Sequence, residues 1–315
     1  MKKIIVFLYV ICAVNLTASA QADPQYTNYM FYKNGINPAA AGINNALQGF
    51  AINRFQWSGW EGAPQTLALS ADAPFNLFGA PGGIGINIIS EQLGFYTNNL
   101  FNVNYAYRKE LSFGTLSFGI SAGIYNQSID GSEWEVPDND KYTPPATDAG
   151  IPKGEASQVV LDAGAGIYLA TESYYLGLSS THLNEASIEY DETARSYLTR
   201  HYYLLGGYNI QLSDPLFEVR PSFLIKSDVA TWQLDVNTNI VYNNKYWGGL
   251  SYRVQDAIAL LMGLELFNGL RVGYSFDLVT SAIGYYGFAS HEIFVSYSVN
   301  LERKRSQKYK SIRYL

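Results

Sequence analysis

The sequence feature that most restricts the fold is an alternation of apolar and polar side chains in residues 231–242, TWQLDVNTNIVY. Successive side chains of a strand point to opposite faces, so this segment predicts a β-strand with one apolar and one polar face. Aromatic side chains, Trp232 and Tyr242, lie near both ends of the apolar face. A soluble β-sandwich would show the same alternation, so the rest of the chain has to distinguish it from a membrane barrel.

The first residues have the three parts of a secretion signal. They begin with two lysines, continue with an apolar core at residues 4–14, and end with the small-residue sequence ASA at residues 18–20. We therefore expect residues 1–20 to be removed on export. Cys12, the only cysteine, lies inside that segment, so the mature chain is expected to have no disulfide, thiol nucleophile or cysteine metal site.

The composition of the chain fits an exported membrane barrel. No apolar run after residue 20 approaches the roughly 20 residues that a membrane helix needs. The chain is nevertheless 48% hydrophobic and 15% aromatic, with 26 Tyr, 28 Gly and only 15% charged residues. Export, abundant Tyr and Gly, and alternating strands favour an outer-membrane barrel over a soluble all-β protein.

Fourteen segments have the length and composition of β-strands. An even number of antiparallel strands is usual in outer-membrane barrels. We therefore predict an all-β, antiparallel transmembrane β-barrel of about 14 strands over residues 45–300. The predicted strands are residues 45–56, 65–73, 83–92, 98–109, 114–129, 157–170, 173–183, 195–211, 216–226, 230–242, 245–255, 257–266, 269–277 and 288–300.

The connections between these strands alternate in length, as they do in outer-membrane barrels. Short connections rich in Gly, Asn, Ser or Pro, which suit tight turns, are expected in the periplasm. The longest connections, residues 129–156, 184–194 and 278–287, are expected outside the cell. One expected periplasmic connection, residues 74–82, is longer than this rule predicts.

Short motifs follow one another in a fixed order along the mature chain. They include DPQY at residues 23–26, NYMF at 28–31, NPAAAG at 37–42, RFQW at 54–57, GAPQT at 62–66, GYSFD at 273–277 and SHEI at 290–293. In this order they resemble the PorP/SprF outer-membrane proteins of the type IX secretion system. The resemblance covers nearly the whole mature chain, but the basic extension after Asn300 departs from a chain that ends on its last strand.

The resemblance implies an outer-membrane component of the type IX secretion and gliding motility machinery of Bacteroidetes, not an enzyme. Some such proteins are partners of a secreted cell-surface adhesin, and some are linked to a periplasmic peptidoglycan-associated lipoprotein. We therefore expect an adhesin, that lipoprotein and outer-membrane lipids as partners, and no cofactor. The alternative is an outer-membrane channel for the uptake of small hydrophobic molecules.

The longest expected outer loop, residues 130–155, is a candidate partner-binding surface. It is acidic and contains Trp134, Asp138, Asp140 and Tyr142. Aromatic anchors in a polar loop suit recognition of a protein partner. A solvated loop would have the same composition.

The basic tail, residues 301–315, is the second candidate. It contains six of the chain's 21 Lys and Arg residues, including Arg303, Lys304, Arg305 and Lys308, but only one of its 27 Asp and Glu residues. A solvated tail and a tail that binds an acidic periplasmic partner both fit this composition, and the periplasmic link that the resemblance implies favours binding. The rest of the mature chain is acidic, so nucleic acid is not an expected partner.

The leading segment, residues 21–44, contains Tyr26, Tyr29, Phe31 and Tyr32, whose rings need burial, but it has no strand pattern. We predict that it packs into or against the periplasmic mouth of the barrel and helps to close the lumen. Charges of both signs on the polar strand faces favour a filled, paired interior over an open pore, because unpaired charges at close quarters are costly.

The sequence does not predict a catalytic, cofactor or metal site. The three histidines lack the spacing of metal ligands, and His291-Glu292 is expected to be a pair at the outer rim that bonds a neighbouring loop. The glycines in residues 82–85 and 164–166 lie beside no helix start. They are therefore expected to let the wall bend, or to admit an internal segment, rather than to bind phosphate.

Overall fold

A computed structural model of the chain describes residues 23–133, 154–190, 195–267 and 269–300. Within this part, fourteen long strands form a closed antiparallel barrel, because each pairs with its neighbours along the chain and the first pairs with the last. These strands are β1 (Ala46–Ser58), β2 (Gln65–Leu77), β3 (Ala80–Leu93), β4 (Tyr96–Leu111), β5 (Gly114–Asp130), β6 (Glu155–Ala170), β7 (Tyr174–Thr181), β10 (His201–Tyr208), β12 (Phe217–Ser227), β13 (Trp232–Tyr242), β14 (Tyr246–Arg253), β15 (Ala257–Phe267), β16 (Leu270–Val279) and β17 (Ala289–Asn300). The predicted 14-stranded barrel is confirmed.

Three short strands complete the described β-structure. β8 (Ser187–Glu189) and β9 (Arg195–Tyr197) pair with each other in a separate hairpin, and β11 (Ile210–Gln211) pairs beside β12. No helix in the described residues is long and apolar enough to cross a membrane.

The alternation in β13 has the predicted orientation. Trp232, Val236 and Ile240 point away from the barrel and are exposed, whereas Asp235, Asn237 and Asn239 point into the lumen and are buried. An apolar exterior around a polar interior is the reverse of a soluble protein, and it is the arrangement that a lipid bilayer requires.

The two ends of the barrel differ in their connections. Tight turns join the strands at one end, the short-turn end, and the longest connections lie at the other, the long-loop end. At the short-turn end, Asn243 and Asn244 adopt φ values of 52° and 53°, as a tight hairpin turn requires at both central positions. The connection predicted at residues 74–82 is shorter than expected. β2 and β3 continue to a turn at Phe78-Gly79. Pro74 does not end the strand, since it pairs with Gly83 within the ladder.

The prediction of one strand over residues 195–211 is wrong. β10 and the two-residue β11 belong to the barrel sheet, whereas β9 leaves the wall at the long-loop end and pairs with β8. The apolar side chains of this stretch are divided between two sites. Those of β10 belong to the barrel wall, whereas Leu198 packs with Ile188 and Tyr125 in a small separate cluster. An apolar pattern that is continuous in sequence therefore serves two different surfaces.

Candidate functional site

The lumen of the barrel is filled by residues 23–45, called the luminal segment below. Asp23 lies among residues at the long-loop ends of β7, β10 and β12, while Gly42 and Asn45 bond to Asp72 and Arg108 near the short-turn end. The segment contains one short α-helix, Lys33–Ile36, and a 3-10 turn, Pro38–Ala40. It therefore runs the length of the lumen, instead of lying only at the periplasmic mouth as the sequence suggested.

The four aromatic residues predicted to need burial lie against the inner wall. Tyr26, Tyr29 and Tyr32 are almost fully buried. Phe31 is partly buried and packs against rings of the wall, including Phe294 at a centroid distance of 4.8 Å. The hydrophobic core of the molecule is thus formed between the luminal segment and the barrel.

At the long-loop end, Asp23 is held by what we call the Asp23 cluster. Its carboxylate accepts hydrogen bonds from Thr181 Oγ1 at 3.0 Å and from the hydroxyl of Tyr203, and Lys226 donates to its backbone carbonyl. His182 Nε2 lies 2.8 Å from Asp23 Oδ1. These contacts anchor the described start of the luminal segment to three strands and the loop that follows β7.

His182 lies between two carboxylates, since its Nδ1 is 2.7 Å from Asp162 and its Nε2 bonds Asp23. Burial by itself lowers the pKa of His182, but the carboxylates of Asp23 and Asp162 outweigh this effect and raise the pKa to about 10. The ring is therefore charged at neutral pH. Because both ring nitrogens are engaged, its geometry is that of an anchor and not of a general base.

A second polar group, the ionic centre, lies deeper in the lumen. Arg54 bonds Asp277 at 2.9 Å and Glu292 at 3.2 Å, and Arg253 bonds Asp277 at 3.3 Å. Thr27 joins the network through its hydroxyl, which donates to Asp277 at 2.6 Å. The charged side chains are almost completely buried, so each depends on these partners to offset the cost of leaving water.

The interpretation of His291-Glu292 as a rim pair is wrong. Glu292 is fully buried in the lumen, where it accepts hydrogen bonds from the backbone N–H groups of Thr27 and Asn28 at 2.9 and 2.8 Å. His291 points to the opposite face and bonds the hydroxyl of Tyr274 at 2.7 Å. Alternation along β17 separates the two side chains, because neighbours on a strand face opposite sides.

In the middle of the luminal segment, hydrogen bonds from two asparagine side chains to the wall take the place of strand pairing. Asn34 Nδ2 donates to Ser70 at 2.9 Å and to Asn87 at 3.1 Å. Asn37 Nδ2 donates to the backbone carbonyls of Ile167 and Leu178 at 3.0 and 3.2 Å. Buried amides need such partners, so the segment's polar groups determine where it sits against the wall.

Glycines in the wall make room for this close approach. A Cβ on Gly83 would overlap Ala41, one on Gly119 would overlap Ala39, and one on Gly166 would overlap the side chain of Asn37. Of the two roles expected for the strand glycines, admission of an internal segment is the one that these contacts support.

The hairpin formed by β8 and β9, the outer cap, folds over the long-loop end of the lumen. Ile188 is fully buried there and packs against Tyr125 of the inner wall. The Tyr190 hydroxyl also donates to Gln127 at 2.6 Å. The luminal segment thus runs through the lumen, and the outer cap covers the lumen at this end.

The predicted partner-binding residues lie outside the described residues. These are Trp134, Asp138, Asp140 and Tyr142 of the outer loop and Arg303, Lys304, Arg305 and Lys308 of the tail. Within the described part of the chain, no group of three or more His, Asp or Glu residues is placed to hold a metal ion.

The family model for the type IX secretion system membrane protein PorP/SprF matches residues 18–297. The chain belongs to this family. With the barrel fold, this identifies an outer-membrane component of type IX secretion. Three of the family-like motifs meet in the ionic centre, since RFQW supplies Arg54, GYSFD supplies Asp277 and SHEI supplies Glu292. DPQY supplies Asp23 of the Asp23 cluster.

Several solved structures have a similar chain path. They include Acinetobacter baumannii Omp33 (TM-score 0.46, 6% identity, 80% of this chain and 96% of that chain), the Pseudomonas putida toluene transporter TodX (0.44, 14%, 84% and 92%) and the KdgM porin (0.36, 9%, 79% and 98%). A search of curated proteins finds no match. The likeness to these structures is one of fold alone.

Sequence reasoning did not identify Asp23, Arg54 or His182 as parts of a buried network. Arg54 and Glu292 lie far apart in sequence, and it is the pairing of β1 with β17 that places them opposite each other. Arg54 and Glu292 do belong to two of the family-like motifs, RFQW and SHEI. The motifs, however, carry no information on which residues face each other across the lumen.

Proposed function

We propose that this barrel acts as the outer-membrane partner or anchor of a secreted cell-surface adhesin, with no enzymatic activity. The observation that carries the proposal is the filled lumen, in which the luminal segment is bonded to the wall by the Asp23 cluster and the ionic centre. A barrel whose interior is occupied leaves its loops and rims as the surfaces available to a partner. Family membership in type IX secretion supplies the context.

The size of the space left near the long-loop end also supports a partner role over an uptake channel. The cavity beside Tyr26, Leu100 and Leu224 has a volume of about 70 Å³. A cavity that holds one benzene molecule has about 150 Å³. This cavity is therefore smaller than the space that a small hydrophobic solute such as benzene needs.

The outer loop at residues 130–155 is the surface that we assign to the adhesin. It connects β5 and β6, whose long-loop ends, Asp130 and Glu155, pair with each other at the rim. Trp134 and Tyr142 would be the aromatic anchors, while Asp138 and Asp140 would supply charge. The two strands that carry the loop are thus paired up to its base.

Replacement of residues 131–154 by a two-residue turn tests this assignment. The barrel should still insert, because the pairing of β5 with β6 does not need the loop, but the adhesin should be lost from the cell surface and from affinity purification out of native membranes. Exchange of residues 228–231, a short connection at the same end, by another turn is the matched control. Normal adhesin display after removal of the long loop would contradict the assignment.

The basic tail is proposed to bind on the periplasmic side. β17 ends at Asn300, paired with Ala46 at the short-turn end, so the tail starts from that end. Its Lys and Arg residues would bind the acidic surface of a peptidoglycan-associated lipoprotein, and such a contact weakens with salt. Truncation after Asn300 should remove the lipoprotein from the purified complex at low salt, and unchanged recovery would contradict the idea.

A further inference from the structure

Besides the small cavity near Tyr26, the barrel contains a second interior space. It lies at the short-turn end. This vestibule has a volume of about 580 Å³ and lies between the luminal segment and the walls of several strands. Pockets for small organic ligands have volumes of about 300–1,000 Å³. The vestibule is therefore of the size that holds a ligand.

Lys33 provides an unpaired cation in the wall of the vestibule. Its ammonium group lies 3.8 Å from the centre of the Tyr175 ring. The charged groups that act on it most strongly are the like charges of Arg220 and Arg271. No carboxylate in the described part of the chain forms an ion pair with it, whereas the other two cations each have one.

The two arginines face the same space from two strands, β12 and β16. Arg220 bonds Glu218 at 2.8 Å, and Arg271 bonds Glu265 at 2.9 Å. Both ion pairs are partly exposed to solvent, so the guanidinium groups keep donors available for another anion. Lys33, Arg220 and Arg271 thus face this space near three carboxylates, of which Glu218 and Glu265 pair with the arginines and Asp72 accepts from the backbone N–H of Gly42, so that Lys33 is the cation without an ion pair among the described residues.

Buried polar atoms without a partner mark the same wall. Within the described residues, the indole N–H of Trp247, the Nε of Arg220 and the Oδ1 of Asn239 are buried and make no hydrogen bond. Trp247 and Asn239 are both more than nine-tenths buried. All three residues line the vestibule, and two of the three atoms, those of Trp247 and Arg220, are N–H donors.

Part of the remaining lining is aromatic, and part is polar. Phe31, Tyr32, Phe50 and Tyr175 contribute rings to the vestibule, and Tyr32 stacks on Phe50 at a centroid distance of 5.2 Å. Such walls suit an apolar or flat ligand body, while the cations suit an anionic head group.

We propose that the vestibule binds a small organic anion that enters from the periplasm, with a carboxylate or phosphate head and an apolar or aromatic body. The head would bond Lys33, Arg220 and Arg271, and the body would lie against the aromatic wall. Because the long-loop end is covered by the outer cap, the short-turn end is the entrance. Such a site is independent of adhesin binding at the outer loops.

Fluorine NMR of the full-length barrel in detergent micelles tests the site with three probes of similar size. The probes are 4-fluorobenzoate, 4-fluorophenyl phosphate and the neutral 4-fluorobenzyl alcohol, each compared with protein-free micelles. We expect saturable binding of one or both anions and only micelle partitioning of the alcohol. Whichever anion binds more tightly shows whether the site prefers a carboxylate or a phosphate head.

Three variants separate the proposed site from general electrostatic attraction. Lys33→Met should weaken binding of the anions about tenfold or more, because a charge-assisted contact is lost, and Lys33→Arg should restore it. Lys109→Met removes an exposed lysine of β4 near the same end and should leave binding unchanged. Heat-dependent gel migration verifies that each barrel is folded.

The outcomes that overturn the proposal are specific. Binding of the alcohol as tightly as the anions, absence of saturation for both anions, or equal losses in Lys33→Met and Lys109→Met would each exclude an anion site at Lys33. If Lys33→Met does not fold, Arg271→Gln takes its place, and undiminished binding in that variant overturns the proposal.

Discussion

Asp23 bonds His182 at 2.8 Å at the long-loop end of the barrel, while Ala46, where β1 begins, lies at the short-turn end. The chain between these points must therefore cross the whole lumen before the first strand starts. The luminal segment is thus fixed at both ends, by an ion pair at one and by the barrel wall at the other.

The first prediction concerns pH. The pKa of His182 is raised in the folded protein from 6.5 to about 10, so its stabilising effect is complete below pH 6.5 and is lost as the pH rises through about 10. We expect the thermal stability of the detergent-solubilised barrel to fall over this window. In His182→Gln, whose side chain does not titrate, this part of the pH dependence should be absent; identical pH profiles for the two proteins would contradict the assignment.

The second prediction concerns the ionic centre. Asp277→Asn removes the carboxylate that Arg54 and Arg253 share and leaves both cations buried. Loss of one partner from a buried pair typically costs about 3–5 kcal/mol. Urea unfolding monitored by fluorescence should show a loss of this size, whereas Glu172→Gln, at an exposed turn, should change stability little. A small effect in Asp277→Asn would mean that water reaches the centre.

The wall of the barrel could be predicted from the sequence because its pattern is local. Each strand shows its own alternation, as in β13, and the turn residues show where strands end, as at Asn243-Asn244. The predictions failed where this local signal was ambiguous. The predicted strand ends at residue 73 although Pro74 lies within the ladder, and residues 195–211 serve two surfaces.

The interior could be predicted only in part, because it depends on contacts between distant residues. Rings at Tyr29 and Tyr32 indicated that the leading segment needs burial, but nothing local indicated that it starts at the long-loop end. The bond of Glu292 to Thr27 joins residues from the two ends of the chain. Such a contact follows from barrel closure, which no single motif describes.

The third prediction tests the glycine that admits the 3-10 turn of the luminal segment. A Cβ on Gly119 would overlap backbone atoms of Pro38 and Ala39, whereas one on Gly49 would meet nothing within 4 Å. Gly119→Ala should therefore displace the segment and cost about 1–3 kcal/mol, and Gly49→Ala should cost little. Thermal unfolding gives the cost, and limited proteolysis at the Lys33 bond reports displacement. If the two variants had the same thermal stability and the same proteolysis pattern, the barrel wall would accommodate the added methyl group at little cost.

The last prediction concerns the lumen itself. Deletion of residues 23–44, with the secretion signal retained, removes the filling between Asp23 and β1 and leaves the polar inner wall exposed to water. The full-length barrel should show no steady conductance in planar bilayers, whereas the deletion variant should form conducting pores if it folds, as judged by heat-dependent gel migration. Because the outer cap still covers the long-loop end, a further deletion of residues 185–198 should raise the conductance again. Steady conductance of the full-length barrel, equal to that of the variants, would contradict the filled lumen and favour the uptake channel instead.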